Sequence, residues 1–87
     1  MKWGEFPFTN IIGEKSLRLK PEGFDFEIIS SVHGVRLYGE SPWFSDMDAL
    51  QELAKNIAKA VKFYEHLLRE KHGLKAKEEK PKKLVIA

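Results

Sequence analysis

The chain contains no cysteine, which excludes disulfides, thiolate metal sites and cysteine nucleophiles. It has no apolar run near the roughly 18 residues of a membrane-spanning helix. No basic stretch followed by an apolar one opens it, so no secretory signal is expected and the expected location is cytoplasmic. Uncharged polar residues are few: one Gln, two Asn, one Thr and five Ser. Lys and Glu take the surface instead. Together with the missing cysteine, that is the compositional trend of thermophile proteins.

The usual signatures of chemistry are missing as well. There is no G-x-x-x-x-G-K or G-x-G-x-x-G to cradle a phosphate, no H-E-x-x-H and no G-x-S-x-G. His66 and His72 are six residues apart, about 240° round a helix, and His33 falls in a turn. Zinc needs three or four converging ligands, so no metal is expected. The carboxylate pairs have plainer uses. Asp46 and Asp48 suit a helix start, Asp25 and Glu27 an outer sheet face, and Glu78 and Glu79 a linker. Neither a cofactor nor an enzymatic activity is expected.

What is present fits one small domain: 87 residues, 43% hydrophobic and 32% charged. The net charge of +2 is unevenly spread. Residues 1–44 carry five basic against six acidic side chains, residues 45–72 five of each, and residues 73–87 five Lys against two Glu. The basic excess therefore lies in the tail, and the expected folded body is close to neutral.

Residues 1–15 are aromatic and irregular, with Trp3, Phe6 and Phe8 interrupted by Pro7. They read as an edge strand or an arm laid over the core, since proline is excluded from central strands. Ser16–Lys20 alternates as a strand. Lys20-Pro21-Glu22-Gly23 reads as a turn, and Phe24–Ser31 as the next strand. Ser31-Val32-His33-Gly34 is a second turn, with Gly34 free to take a positive φ. Val35–Glu40 is a third strand, with Val35 and Leu37 inward and Arg36, Tyr38 and Glu40 outward. Of the outward residues on the three strands, Arg18, Lys20 and Arg36 oppose Asp25, Glu27 and Glu40, and Tyr38 is the one stacking ring. Ser45 reads as an N-cap, with Asp48 completing a box-like S-x-x-D. The helix runs from there to about His72, where Gly73 ends it.

The expected fold is α+β. An antiparallel meander of three or four strands packs against one long helix in a domain of residues 1–73. A basic linker and short hydrophobic tail follow at 74–87.

The helix and sheet are mismatched in size. Strands of five to eight residues reach about 17–26 Å, whereas a helix of about 27 residues is roughly 40 Å long. The apolar stripe of Met47, Leu50, Leu53, Ala54, Ile57, Val61, Tyr64 and Leu68 is widened by Ala49, Ala60, Phe63 and Leu67. It covers about 220°, twice what one core requires. The C-terminal end of the helix is expected to overhang the sheet.

Its cover is expected to be a second copy or another protein, with the N-terminal arm or the C-terminal Leu84-Val85-Ile86-Ala87 as the intrachain alternatives. The expected interface is Ala60, Phe63, Tyr64, Leu67 and Leu68, joined by Trp43, which otherwise plugs the end of the core. The expected function is a non-enzymatic protein-interaction or regulatory module, a homodimer. The alternative is a nucleic-acid-binding module using Lys55, Lys59, Lys62 and Arg69 of the helix with Lys75, Lys77, Lys80, Lys82 and Lys83 of the tail. The thermophile-like composition predicts a melting temperature above roughly 65 °C, the upper range for mesophile domains. A thermal scan followed by circular dichroism checks it.

Overall fold

A computed structural model describes residues 1–72. The chain forms β1 (Trp3–Thr9), β2 (Lys15–Pro21), β3 (Phe26–Ser31), β4 (Gly34–Gly39) and α1 (Met47–His72). The four strands pair in chain order as an antiparallel meander, and the helix packs on one face. The helix stop at Gly73, the tail lysines and the hydrophobic end lie outside the described residues.

The aromatic N-terminal segment is a full edge strand, pairing Trp3 with Pro21 through to Thr9 with Lys15. Pro7 is tolerated because β1 has a neighbour on one side only. β2 extends through Pro21, one residue into the expected turn, and Pro21 is fully buried. The reversal falls on Glu22-Gly23, closed by the Phe24 N–H donating to the Pro21 carbonyl at 3.4 Å. Phe24 is therefore an exposed turn residue, and β3 begins at Phe26. The second reversal is a two-residue hairpin, Val32-His33, with Gly34 at φ 122°.

The core is a single layer of side chains. Leu17, Leu19, Phe26 and Ile28 rise from the sheet to meet Ala60, with Leu53, Phe63, Trp3 and Phe44 around them. Trp3 and Phe44 flank Phe26 edge-on, at centroid distances of 6.4 and 6.1 Å. Full burial of Leu19 and Ile28 contributes on the order of 1.5–3 kcal/mol each. Ala60 is 0% exposed, and its carbonyl accepts a 2.6 Å hydrogen bond from the buried Ser30 hydroxyl. A larger residue at position 60 would hold the helix off β3.

The cap differs from the sequence expectation by one residue. Asp46, not Ser45, accepts the Ala49 N–H at 2.9 Å, and its carbonyl accepts the Leu50 N–H. A carboxylate caps as well as a hydroxyl and adds a favourable charge at the positive end of the helix.

The expected C-terminal overhang is not found. Leu67 is buried, the last turns of α1 border an open groove with Val32 and the start of β2, and Lys15 pairs with Glu70 across it at 3.7 Å. The helix thus runs from the Gly39 end of the sheet to the Val32 end, and its uncovered apolar residues lie along one side.

Gly39 has φ 86°, and a Cβ there would lie 1.9 Å from the Asp25 carbonyl oxygen. That carbonyl accepts the Glu40 N–H, which ties the end of β4 to the start of β3. Gly23 has a similar φ of 83° but open space around it. Gly39→Ala is expected to cost more than about 3 kcal/mol and Gly23→Ala about 1 kcal/mol. Urea unfolding of both variants checks the difference, and equal costs would contradict the close approach.

Candidate interaction surfaces

The helix residues expected at an interface divide into two groups. Ala60 and Leu67 are buried in the chain's own core and offer nothing to a partner. At 100° per residue they share the sheet-facing line with the buried Ala49, which is why the sheet takes them first. Phe63, Tyr64 and Leu68 are half-buried, and Phe63 packs on the core cluster. Trp43 does not plug the core. It is 94% exposed, and its neighbour Phe44 closes the core instead.

Two ion pairs lie along one side of α1. Lys59 pairs with Glu5 of β1, and Glu70 with Lys15 of β2. They mark the β1–β2 side of a helix that packs mainly on β3 and touches both β2 and β4. The opposite side faces β4, and there Leu50, Ile57 and Val61 are exposed. The expected inward residues of β4 meet them half-way. Val35 pairs with Ser30 and Leu37 with Ile28, so both point to the helix side. They are nonetheless exposed, Leu37 at 58%, because α1 sits mainly over β3 and covers β4 only in part. The result is one apolar trough, walled by α1 and floored by β4, beside a strand edge that pairs with no other described strand.

The helix cations do not form one patch. Lys59 is occupied by Glu5. Lys55, Lys62 and Arg69 are exposed at seven-residue spacing, so they line the back of the helix about 10 Å apart.

The other face of the sheet has no layer over it among the described residues. Its central cross-strand row is Phe6, Arg18, Ile29 and Arg36. Phe8 and Tyr38 share that face through the two-residue period of their strands. The sequence reading placed Asp25 and Glu40 there too; both lie just beyond the strand ends, the Glu40 N–H donating to the Asp25 carbonyl, and Asp25 lines a hollow with Glu27 and Tyr38. Glu27 is the carboxylate on the strand positions of this face, with its oxygen 3.1 Å from Arg18 Nε in an ion pair bent away from hydrogen-bond alignment. Two guanidiniums lie over rings, Arg18 over Phe8 at 5.4 Å and Arg36 over Tyr38 at 5.1 Å. Phe6 and Phe8 were missed as members of this face because Pro7 breaks the alternation that would have revealed a strand.

Among the described residues, no three His, Asp or Glu side chains gather as metal ligands, and no helix is long and apolar enough to cross a membrane. His33 meets Glu14 at 3.0 Å and His66 meets Glu70 at 3.1 Å, at separate places on the surface. Comparison with protein-family models, with curated proteins and with solved structures finds no match.

The β1–β2 loop is a small polar knot that lifts Ile11 and Ile12 into solvent. The Asn10 side-chain oxygen accepts the N–H groups of Ile12 and Glu14, and its amide donates to the Glu14 carboxylate at 3.1 Å. That amide hydrogen bond, aided by the His33 ring, outweighs desolvation and lowers the Glu14 pKa. A lowered carboxylate pKa stabilises the loop above the ordinary carboxylate value. The contribution fades as pH falls through the lowered value. Asn10→Ala is therefore expected to return the Glu14 pKa upward. NMR titration of the side-chain carboxyl measures it, and an unchanged value would remove Asn10 as the cause.

Proposed function

We propose that the chain is a small non-enzymatic interaction module of the cytoplasm that self-associates through the trough between α1 and β4. The observation that carries this reading is the meeting of two bare apolar surfaces. Leu50, Ile57 and Val61 stand beside Val35 and Leu37, with Trp43 on the connection from β4 to α1. Contiguous exposed apolar surface of this kind marks association sites on small domains.

A second copy is the occupant that suits it. A two-fold interface joins the same patch on both subunits, so an apolar wall can meet an apolar floor in both directions at once. The outer edge of β4 lies beside the trough and can extend the sheet across the axis. A single layer of core side chains is thin for a chain of this size, and association deepens it. Relative to the sequence expectation, the proposed interface moves from the sheet-facing line of the helix to its β4-facing side. Tyr64, Leu68 and Trp43 remain at its margin. The alternative reading, nucleic acid held by helix and tail lysines, has less support on the helix because Lys59 is already paired.

Light scattering on the intact chain at micromolar concentration is expected to give twice the 10.1 kDa chain mass. Ile57→Glu combined with Val61→Glu is expected to give a folded monomer, because both side chains are exposed within the chain. Ala60→Glu is expected to abolish folding instead. A wild-type particle of single-chain mass would overturn the proposal.

A further inference from the structure

We infer that the open face of the sheet, opposite α1, binds single-stranded nucleic acid. The inference stands apart from self-association, since the two surfaces lie on opposite sides of β4 and neither needs the other.

The face presents what such a strand requires and little else. Bases stack on exposed rings, and phosphates are met by cations that track the backbone. Phe6 and Tyr38 are both exposed, near opposite edges of the sheet. Arg18, Lys20 and Arg36 lie between or beside them. Four strands about 4.8 Å apart span roughly 14 Å, which matches two or three stacked bases. Gly4 belongs to the same design. The end of the Phe6 ring lies over it, so close that a Cβ would fall 2.6 Å from the ring, and Phe6 remains half exposed. Hollows of about 300 and 130 Å³ open on either side of Lys20, one bordered by Phe6 and Gly4, the other by Tyr38 with Asp25 and Glu27.

Charge complementarity selects the ligand. The strand positions of this face carry three cations against one carboxylate, and Arg18 already engages that carboxylate. Arg36 lies against the Tyr38 ring, so its guanidinium is held near the place where a base would stack. Asp25 lines the hollow beside Glu27 and Tyr38, which disfavours phosphate there and leaves the Phe6–Arg36 row as the path of a polyanion. A duplex would bring its phosphates but no bare base faces, leaving the rings unused.

The test is fluorescence anisotropy of the full chain with labelled oligothymidine, oligouridine and a duplex of equal length, at about 50 and 200 mM salt. One or both single strands are expected to bind more tightly than the duplex, and the comparison of the two shows whether the 2′-hydroxyl matters. Phe6→Ala and Tyr38→Ala are each expected to weaken binding about five- to a hundred-fold. Arg36→Gln is expected to make the log–log salt slope shallower by about 0.7. Should Phe6→Ala fail to fold, Tyr38→Ala and Arg36→Gln at the other edge still decide the matter.

Absence of binding at the lower salt overturns the inference. So does binding that ignores these three variants and is lost in Lys55→Glu/Lys62→Glu/Arg69→Glu, which would place nucleic acid on the back of the helix. If Phe6→Ala or Tyr38→Ala halves the particle mass in light scattering, the face belongs to a second copy and the inference also fails.

Discussion

One helix cannot cover a sheet of four strands. With side chains α1 is about 10 Å across, while three strand spacings plus the outer side chains make the sheet wider than that. The helix must choose a position, and Ala60 chooses it. A methyl group with no exposed surface lets the backbone descend onto β3 until Ser30 reaches the Ala60 carbonyl. Everything else about the surface depends on that seating. The Lys59–Glu5 and Lys15–Glu70 pairs add direction more than energy, for exposed ion pairs contribute at most about 1 kcal/mol. The helix sits over β3 and touches both β2 and β4, yet the β4 side chains Val35 and Leu37 stay exposed.

The two surfaces that result differ in kind. The trough beside β4 is apolar because a broad helix stripe and an alternating strand both prepared for burial that a single helix does not provide. The opposite face is aromatic and cationic because β1 contributes phenylalanines to rows where β2 and β4 contribute arginines. One side is apolar, and the other carries exposed rings and guanidinium groups. A paired subunit on the first side would leave the second open, and doubling the chain would place two such sheets in one particle.

Some elements were legible because the physics is local. Alternation located β2 and β4 within a residue or so, and the helix starts one residue later than expected and continues through His72, the last described residue. Gly34 was placed correctly at a reversal because few other residues take its φ. The failures were also physical. Pro7 hid β1, since a one-residue break in alternation is what an irregular arm also shows. Pro21 looked like a turn residue but pairs with Trp3, because the neighbouring edge strand supplies the cover that the local sequence does not announce. Ser45 and Asp46 are both good caps, and the end of the connecting segment selects between them.

The sequence by itself determined that this chain has a meander, a long helix and more apolar surface on that helix than one small sheet can use. Those properties follow from periodicity and composition, which act between near neighbours. Only the tertiary structure decided which apolar residues are spent and which are left. Ala60 and Leu67 go to the chain's own core, while Ile57, Val61, Leu37 and Trp43 stay in solvent. A wheel of residues gives the width of a stripe but not its rotation. Rotation is fixed by contacts between residues far apart in the chain: Ser30 with Ala60, Glu5 with Lys59 and Lys15 with Glu70.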